Sequence, residues 1–177
     1  GRAAIGGKDS MSGSFDNLHV PPTLVAFCVG TVNAKKVISP EFKRAGDYVY
    51  WLRCPADELG RPDMKVFAAN NKYIHQNNKK WQSVRAIRAG GVALALYESA
   101  LGNNIGVQLE RGEDLFAAEY GGYLLSLSER LPDRDNLVLL GRTTAEAGLN
   151  YRDEALPLAE LYEISTSTLD EIYPLYP

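Results

Sequence analysis

Apolar residues along this chain form short runs that are separated by polar, glycine-rich or proline-rich segments. Short runs of β-branched, aromatic and leucine residues bounded by such segments predict strands. The predicted strands cover residues 23–29, 48–54, 105–109, 123–127 and 137–143. Because residues 23–29 are apolar at almost every position, they predict a strand that is covered on both of its faces.

Other segments carry apolar residues at helical spacing and predict helices. The predicted helices cover residues 70–84, 92–101, 113–119 and 157–173, and a short capped helical turn is predicted at 39–42. The polar residues 145–157 are expected to pair at an edge of the sheet. Since helices and strands are interleaved but the last strands adjoin, the predicted fold class is α+β, with a mixed sheet flanked by helices.

Composition narrows the classes of function. The 177 residues are 45% hydrophobic and 23% charged, which is ordinary for a globular protein with a sizeable core. The formal net charge of −3 shows no basic excess, so nucleic acid is not an expected partner. No apolar run approaches the roughly 20 residues that span a bilayer, and the first residues lack the apolar core of a signal peptide, so no membrane association is expected. Cys28 and Cys54 lie in apolar, strand-like segments, which indicates two buried free thiols in a reducing cytoplasm.

The glycine-rich segment at residues 4–14 carries the first candidate chemistry. It reads Ala-Ile-Gly-Gly-Lys-Asp-Ser-Met-Ser-Gly-Ser, which is too polar for a strand interior and too rich in glycine for a helix. It therefore predicts a loop in which bare glycine amides approach an anion, with Lys8 as a point charge and the serine hydroxyls as neutral donors. Asp9 suits a metal ion, a hydroxyl group or a salt bridge to Lys8. The segment is not a P-loop, since its lysine does not occupy the position that this motif requires. The alternative is a flexible glycine–serine loop without a ligand.

A second segment combines glycine with arginine. Gly90 and Gly91 open the predicted buried helix 92–101, and Arg85 and Arg88 precede them. A helix N-terminus presents unpaired N–H groups and the positive end of the helix dipole, so an anion could be held there. The alternative is that the two glycines only allow the helix to pack tightly against the sheet.

Several of these motifs closely resemble one enzyme family. Gly-Gly-Lys-Asp-Ser-Met-Ser-Gly-Ser-Phe at 6–15, followed by Pro-Pro-Thr-Leu at 21–24, resembles the second half of the synthetase region of phosphoribosylformylglycinamidine synthase. Later parts of that region are similar to residues 86–92, 102–107, 137–143 and 169–174. The resemblance covers nearly the whole chain and implies the fold of the aminoimidazole ribonucleotide synthetase superfamily.

The resemblance also implies that the chain is a fragment. Residues 1–38 would be the trailing part of an ATP-binding-type domain, and residues 39–177 a C-terminal-type α+β domain. The parent enzyme would be a cytoplasmic ligase of purine biosynthesis that amidates formylglycinamide ribonucleotide with ATP, Mg²⁺ and ammonia from glutamine. The implied partners are the rest of the same polypeptide, namely the first synthetase half and the glutaminase domain. The fragment itself is expected to be inactive and to bind no cofactor tightly.

Site residues follow from the resemblance by position, although none can be assigned as catalytic. The implied phosphate- and substrate-binding residues are Gly6, Gly7, Lys8, Asp9, Ser10 and Ser12, with Asp9 also the implied metal partner. Arg88, Gly90 and Gly91 would bind nucleotide. Many relatives have aspartates where this chain has Ala86 and Ala89, and alanine cannot ligate magnesium, so this second site would be altered or lost.

Two alternatives stay open. The chain could be a non-catalytic structural half that stabilises an active one, which Ala86 and Ala89 favour. It could also belong to another enzyme of the superfamily, such as aminoimidazole ribonucleotide synthetase, selenophosphate synthetase or thiamine monophosphate kinase, although residues 8–12 argue against these. In either case, an exposed edge at residues 23–29 would allow two copies of the chain to dimerise.

Overall fold

The computed structural model describes residues 5–10, 13–112, 114–132, 134–168 and 172. The chain divides into two compact units, Gly1–Val37 and Ile38–Pro177. In the smaller unit the elements are β1 (Gly6–Ser10), β2 (Gly13–Phe15), β3 (Leu18–Val20), β4 (Thr23–Phe27) and a short 3₁₀ helix (Ala34–Lys36). None of the helices in the described ranges is both long and apolar enough to cross a membrane.

The larger unit contains the other strands and the α-helices. Its strands are β5 (Tyr48–Leu52), β6 (Ser83–Ala86), β7 (Gly106–Leu109), β8 (Tyr123–Leu127), β9 (Leu137–Thr144), β10 (Gly148–Tyr151) and β11 (Glu154–Pro157). Its helices are α1 (Met64–Gln76), α2 (Gly91–Leu101) and α3 (Leu158–Ser167).

The smaller unit consists of two antiparallel ribbons, in which β1 pairs with β4 and β2 pairs with β3. The predicted loop at residues 4–14 is therefore wrong for residues 6–10 and 13–14, which lie in strands. A two-stranded ribbon buries little surface, so polar and glycine residues are tolerated in it.

The predicted strand at 23–29 is present as β4, but the prediction that both of its faces are covered is wrong, because all of its residues are exposed. Cys28 is likewise exposed, contrary to the predicted buried thiol.

The larger unit is organised around one seven-stranded sheet with the order β11-β10-β7-β9-β5-β8-β6. The pair β10–β7 is parallel and the other neighbours are antiparallel. This is the predicted mixed sheet. The predicted edge pairing within residues 145–157 is also present, as the β10–β11 hairpin.

The core of the larger unit lies on both faces of that sheet. Alternate residues of a strand point to opposite faces, and in β5 Trp51 packs in one apolar cluster while Leu52 packs in the other. The cluster around Trp51 includes Val92 and Leu96 of α2, and the cluster around Leu52 is covered by Tyr73 of α1. Helices therefore flank the sheet on both faces, which confirms the α+β prediction.

The first helix begins and ends earlier than predicted. Asp63 caps its N-terminus, because Oδ1 of Asp63 accepts hydrogen bonds from the backbone N–H groups of Lys65 (2.8 Å) and Val66 (3.2 Å). The predicted helix 70–84 is wrong beyond residue 76, since Trp81 follows the helix and folds back on it. The indole Nε1 of Trp81 donates to the carbonyl oxygen of Ile74 at 3.0 Å.

Two shorter predicted helices are absent from the described residues. Residues 114–117 form a turn and a bend, in which Asp114 has a φ of +54°, residues 118 and 119 lie in no regular element, and residue 113 lies outside the described ranges. Residues 39–42 form bends, because the backbone N–H of Phe42 donates to the carbonyl oxygen of Ser99 at 2.9 Å instead of closing a helical turn. The predicted helix 157–173 is confirmed over Leu158–Ser167, and most of the residues after 168 lie outside the described ranges.

Candidate functional site

The predicted phosphate-binding residues lie on an exposed strand of the smaller unit. Lys8 and Asp9 are exposed on β1, and Nζ of Lys8 donates a hydrogen bond to the backbone carbonyl oxygen of Asp9. The backbone of Ser10 ends β1, whereas Ser12 lies outside the described residues. Lys8 has no carboxylate partner within 4.0 Å among the described residues, so its charge faces solvent.

The two glycines of β1 differ in their surroundings. A Cβ atom added to Gly7 would lie 2.7 Å from the carbonyl oxygen of Val25, whereas one added to Gly6 would have no neighbour within 4 Å. Gly7 is therefore needed for the close approach of β1 to β4, a structural role that the anion-binding prediction did not include.

The described residues offer Asp9 little help in holding a metal ion. They contain no group of three or more histidine, cysteine, aspartate or glutamate side chains that could bind one. Phosphate oxygens and water are common ligands of Mg²⁺ and would suit a site with a single carboxylate.

The predicted nucleotide site at Gly90 and Gly91 is covered by another segment of the chain. Both glycines have positive φ, +91° and +65° respectively. A Cβ atom on Gly91 would collide with the carbonyl oxygen of Leu115 and lie 2.6 Å from that of Ala117. The backbone N–H of Ala93, in the first turn of α2, donates to the carbonyl oxygen of Leu115 at 2.8 Å. The turn at 114–117 thus packs on the N-terminus of α2, so the close packing at Gly91 is against this turn and not against the sheet as the alternative stated.

The two arginines before those glycines share one carboxylate. Arg85 Nη1 lies 2.7 Å from Glu98 Oε2, and Arg88 Nη2 donates to Glu98 Oε1. Arg85 Nε also donates to Ser99 Oγ at 2.8 Å. An anion bound at Arg88 would therefore compete with Glu98. Ala86 is the last residue of β6, where it offers no ligand.

A buried carboxylate that the sequence did not indicate lies close to this region. Oε1 of Glu119 accepts hydrogen bonds from Trp51 Nε1 and from the backbone N–H of Cys54, both at 3.0 Å. Burial raises the pKa of the Glu119 carboxyl, and these two hydrogen bonds oppose the rise. Burial, reinforced by the Glu119 and Asp63 carboxylates, also raises the pKa of the Cys54 thiol. The Glu119 carboxylate ties the turn before β8 to Trp51 of β5 and to Cys54 just after it.

The larger unit also contains two adjoining cavities that arginine side chains line. One, of about 420 Å³, is lined by Arg111, Arg130 and Arg134 beside the first residues of β9. The other, of about 110 Å³, is lined by Arg53 and again by Arg111. Sequence reasoning did not find these residues, because they come from separate turns that only the folded sheet brings together.

Comparison with known proteins gives sequence relatives but no matching family model. Over 99% of its length the chain is 25% identical to phosphoribosylformylglycinamidine synthase subunit PurL from Thermococcus sibiricus, of which it spans 28%. The solved structure of phosphoribosylformylglycinamidine synthase II from Thermotoga maritima has a TM-score of 0.57 at 13% identity, covering 79% of this chain and 28% of that one. E. coli HypE, a hydrogenase maturation protein, has a TM-score of 0.53 at 15% identity, covering 69% of this chain and 52% of that one.

These comparisons confirm the predicted fold, which is that of aminoimidazole ribonucleotide synthetase-like proteins. They also confirm the resemblance to the synthase that the sequence motifs indicated. Because HypE has the same fold, the fold alone does not distinguish members of the superfamily. The similarity along the sequence, in contrast, points to the synthase.

Proposed function

We propose that the chain forms part of the synthetase region of a phosphoribosylformylglycinamidine synthase. The observation that supports this most strongly is the similarity to the Thermococcus sibiricus subunit along 99% of the chain. Residues 1–38 would belong to an ATP-binding-type domain and residues 39–177 to the C-terminal-type domain that follows it. The reaction would be the ATP-dependent amidation of formylglycinamide ribonucleotide, in which ATP activates the amide oxygen and ammonia from glutamine displaces phosphate.

The proposed ligands are a nucleotide and formylglycinamide ribonucleotide. Thermotoga maritima PurL, which has the same fold, has been crystallised with ADP and with FGAR. Both ligands carry phosphate groups, and an exposed lysine on a glycine-rich segment suits such groups. In our proposal Lys8 acts as an electrostatic clamp, the amides of Gly6 and Gly7 and the hydroxyls of Ser10 and Ser12 act as donors, and Asp9 binds Mg²⁺. The metal would neutralise phosphate charge in the complete site.

A second candidate function for the larger unit is structural support of another synthetase half. Glu98 pairs with both Arg85 and Arg88, and the turn at 114–117 covers the N-terminus of α2. Nucleotide binding by Arg88, Gly90 and Gly91 would require both contacts to give way. The alanines at 86 and 89 provide no metal ligand in compensation.

The proposed role of Lys8 predicts that the smaller unit responds to nucleotide. We suggest recording amide NMR spectra while Mg-ADP is added to the chain, its K8Q variant and its K35Q variant, in which another exposed lysine of the same unit is replaced. The proposed function predicts shifts of the Gly6 and Gly7 signals that depend on Mg²⁺, that weaken in K8Q and that persist in K35Q. Unchanged signals at millimolar Mg-ADP would contradict the role of Lys8.

A separate assay addresses the reaction. Incubated with formylglycinamide ribonucleotide, ATP, Mg²⁺ and ammonia, the isolated chain should release no more phosphate than a blank, because the proposed first synthetase half is missing. Turnover by this polypeptide alone would refute the proposal that it is one part of the enzyme.

A further inference from the structure

Strand β9 has a backbone edge that its neighbours leave partly uncovered. It pairs with β5 from Leu137 onward, but with β7 only from Gly141 onward. Beyond Leu109 the chain leaves the sheet, after the N–H of Glu110 has donated to the carbonyl oxygen of Leu140 at 2.7 Å. The 420 Å³ cavity opens beside residues 137–139, at the place where β7 no longer covers β9.

The arginines that line this region differ from most others in the larger unit. Arg44, Arg85, Arg88 and Arg61 each contact a carboxylate. Within the described residues, in contrast, no carboxylate lies within 4.0 Å of Arg53, Arg111, Arg130 or Arg134, and their guanidinium groups make no hydrogen bond there. We call these four the cavity arginines; within the part of the chain that the structure describes, nothing occupies their guanidinium donors.

Two of the cavity arginines are held in place by aromatic rings. The guanidinium carbon of Arg134 lies 4.3 Å from the centre of the Tyr73 ring, and that of Arg53 lies 4.5 Å from the centre of the Trp51 ring. Stacking restricts the side chain while the N–H groups at the edge of the guanidinium plane still point outward. Because the two arginine side chains are already restricted, binding a ligand would cost less of their conformational entropy.

Arginines outnumber carboxylates among the described residues that line the two cavities. Four arginines lie there beside three carboxylates, Glu110, Asp114 and Asp135. A volume of 420 Å³ lies in the range of about 300–1,000 Å³ that is typical of small-molecule sites.

We propose that the cavity arginines form an anion site for a small molecule that carries phosphate. The guanidinium fork matches phosphate oxygens bidentately, and the three forks that line the larger cavity, those of Arg111, Arg130 and Arg134, favour a group with two or more negative charges. The site uses no residue of the proposed function, because Lys8, Asp9 and the glycines of β1 lie in the smaller unit. The two proposals can therefore fail independently.

The test titrates the 177-residue chain with inorganic pyrophosphate and, separately, with glycerol 3-phosphate. Binding is measured by calorimetry and located by the Nε–Hε NMR signals of the arginines. The variant R111Q/R130Q removes two cavity arginines that contact no carboxylate among the described residues, so it should fold normally. The control is R152Q, since Arg152 also stacks on a ring, that of Tyr151 at 4.9 Å, but lines neither cavity.

We expect pyrophosphate to shift the Arg111 and Arg130 signals and to bind about tenfold or more weakly to R111Q/R130Q, a loss of about 1.4 kcal/mol or more. R152Q should bind it as the wild type does. Tighter binding of pyrophosphate than of glycerol 3-phosphate would identify the ligand as a polyphosphate, and the reverse order would identify a phosphomonoester. Absence of binding at millimolar concentration, or equal binding by R111Q/R130Q and the wild type, would overturn the proposal.

Discussion

At the scale of single residues, Glu119 connects the turn before β8 to the end of β5. Its Oε1 accepts two N–H groups, one from the Trp51 side chain and one from the Cys54 backbone. Each of these donors is buried, so removing the acceptor would leave it without a partner at a cost of about 1–3 kcal/mol. The carboxylate is therefore a structural element of this part of the larger unit, and its protonation should affect stability.

The first prediction concerns that protonation. Burial raises the pKa of Glu119 in the folded protein, so the folded state binds the proton more tightly than the unfolded chain does. The resulting stabilisation is complete below the ordinary pKa of 4.5 and is lost as the pH rises through the raised pKa. We expect the unfolding free energy of the wild type to fall over this window relative to that of E119Q, whose amide oxygen can accept the same two N–H groups. Urea denaturation from about pH 4 to 7 measures the difference, and a difference independent of pH would contradict the prediction.

A second residue-scale prediction separates steric from conformational effects at glycine. Gly60 and Gly91 both have positive φ, +74° and +65°, but only Gly91 lies against backbone atoms of another segment. G60A should cost about 1–2 kcal/mol from backbone strain. G91A should cost about 1–3 kcal/mol more, because its Cβ would overlap the turn at 114–117. Denaturation of the two variants measures both values, and equal losses would mean that the turn moves aside.

At the scale of elements, the capping of α1 explains where the helix begins. We expect D63A to lower the unfolding free energy by about 1 kcal/mol, because the N–H groups of Lys65 and Val66 lose their acceptor. D63N retains a capping oxygen and should stay close to the wild type. Urea denaturation measures the unfolding free energy of the wild type, D63A and D63N. If D63N is destabilised as much as D63A, the charge of the carboxylate contributes more than its capping hydrogen bonds.

Strands of the larger unit could be predicted from the sequence because a buried strand consists mostly of consecutive apolar residues. Residues 48–52 form a continuous apolar run and residues 123–127 are apolar except for Ser126, and in the larger unit both faces of these runs are covered. Helix boundaries were harder to predict. Trp81 fits the helical spacing of Tyr73 in the sequence, but its indole packs on Tyr73 edge-on, with ring centres 5.6 Å apart, after the chain has left the helix. Trp81 therefore continues the helical spacing of apolar residues in the sequence although it lies outside the helix.

The candidate sites show the same limit. The segment around Lys8 was found through its resemblance to a known motif, yet its strand conformation depends on pairing with β4, which composition does not reveal. Arg111 and Arg130 carry no local signal at all, since their proximity arises from the order of the strands. Glu119 was predicted to lie in a helix, whereas its burial follows from its hydrogen bonds to β5 and to the residues just after it.

At the scale of the whole molecule, each unit contains one cysteine with a contrasting environment. Cys28 is exposed in the smaller unit, and Cys54 is buried in the larger unit with a raised thiol pKa. We expect a thiol reagent to label Cys28 rapidly and Cys54 only when the larger unit opens, because the reactive thiolate must be both formed and accessible. Labelling of wild type and C28S at pH 8 under native conditions tests this, and rapid reaction of C28S would show that Cys54 is not protected.

A parallel neighbour cannot be reached through a tight hairpin, and β10 meets β7 only after the chain has passed through β8 and β9. Val107 and Leu149 face each other across this pair although they are 42 positions apart (149 − 107). Closing so long a loop is entropically costly and gives no return until β9 is in place. During refolding, pulsed hydrogen exchange should therefore find the local β10–β11 hairpin, in which Leu149 and Leu156 are only 7 positions apart (156 − 149), protected before the amides that join β10 to β7.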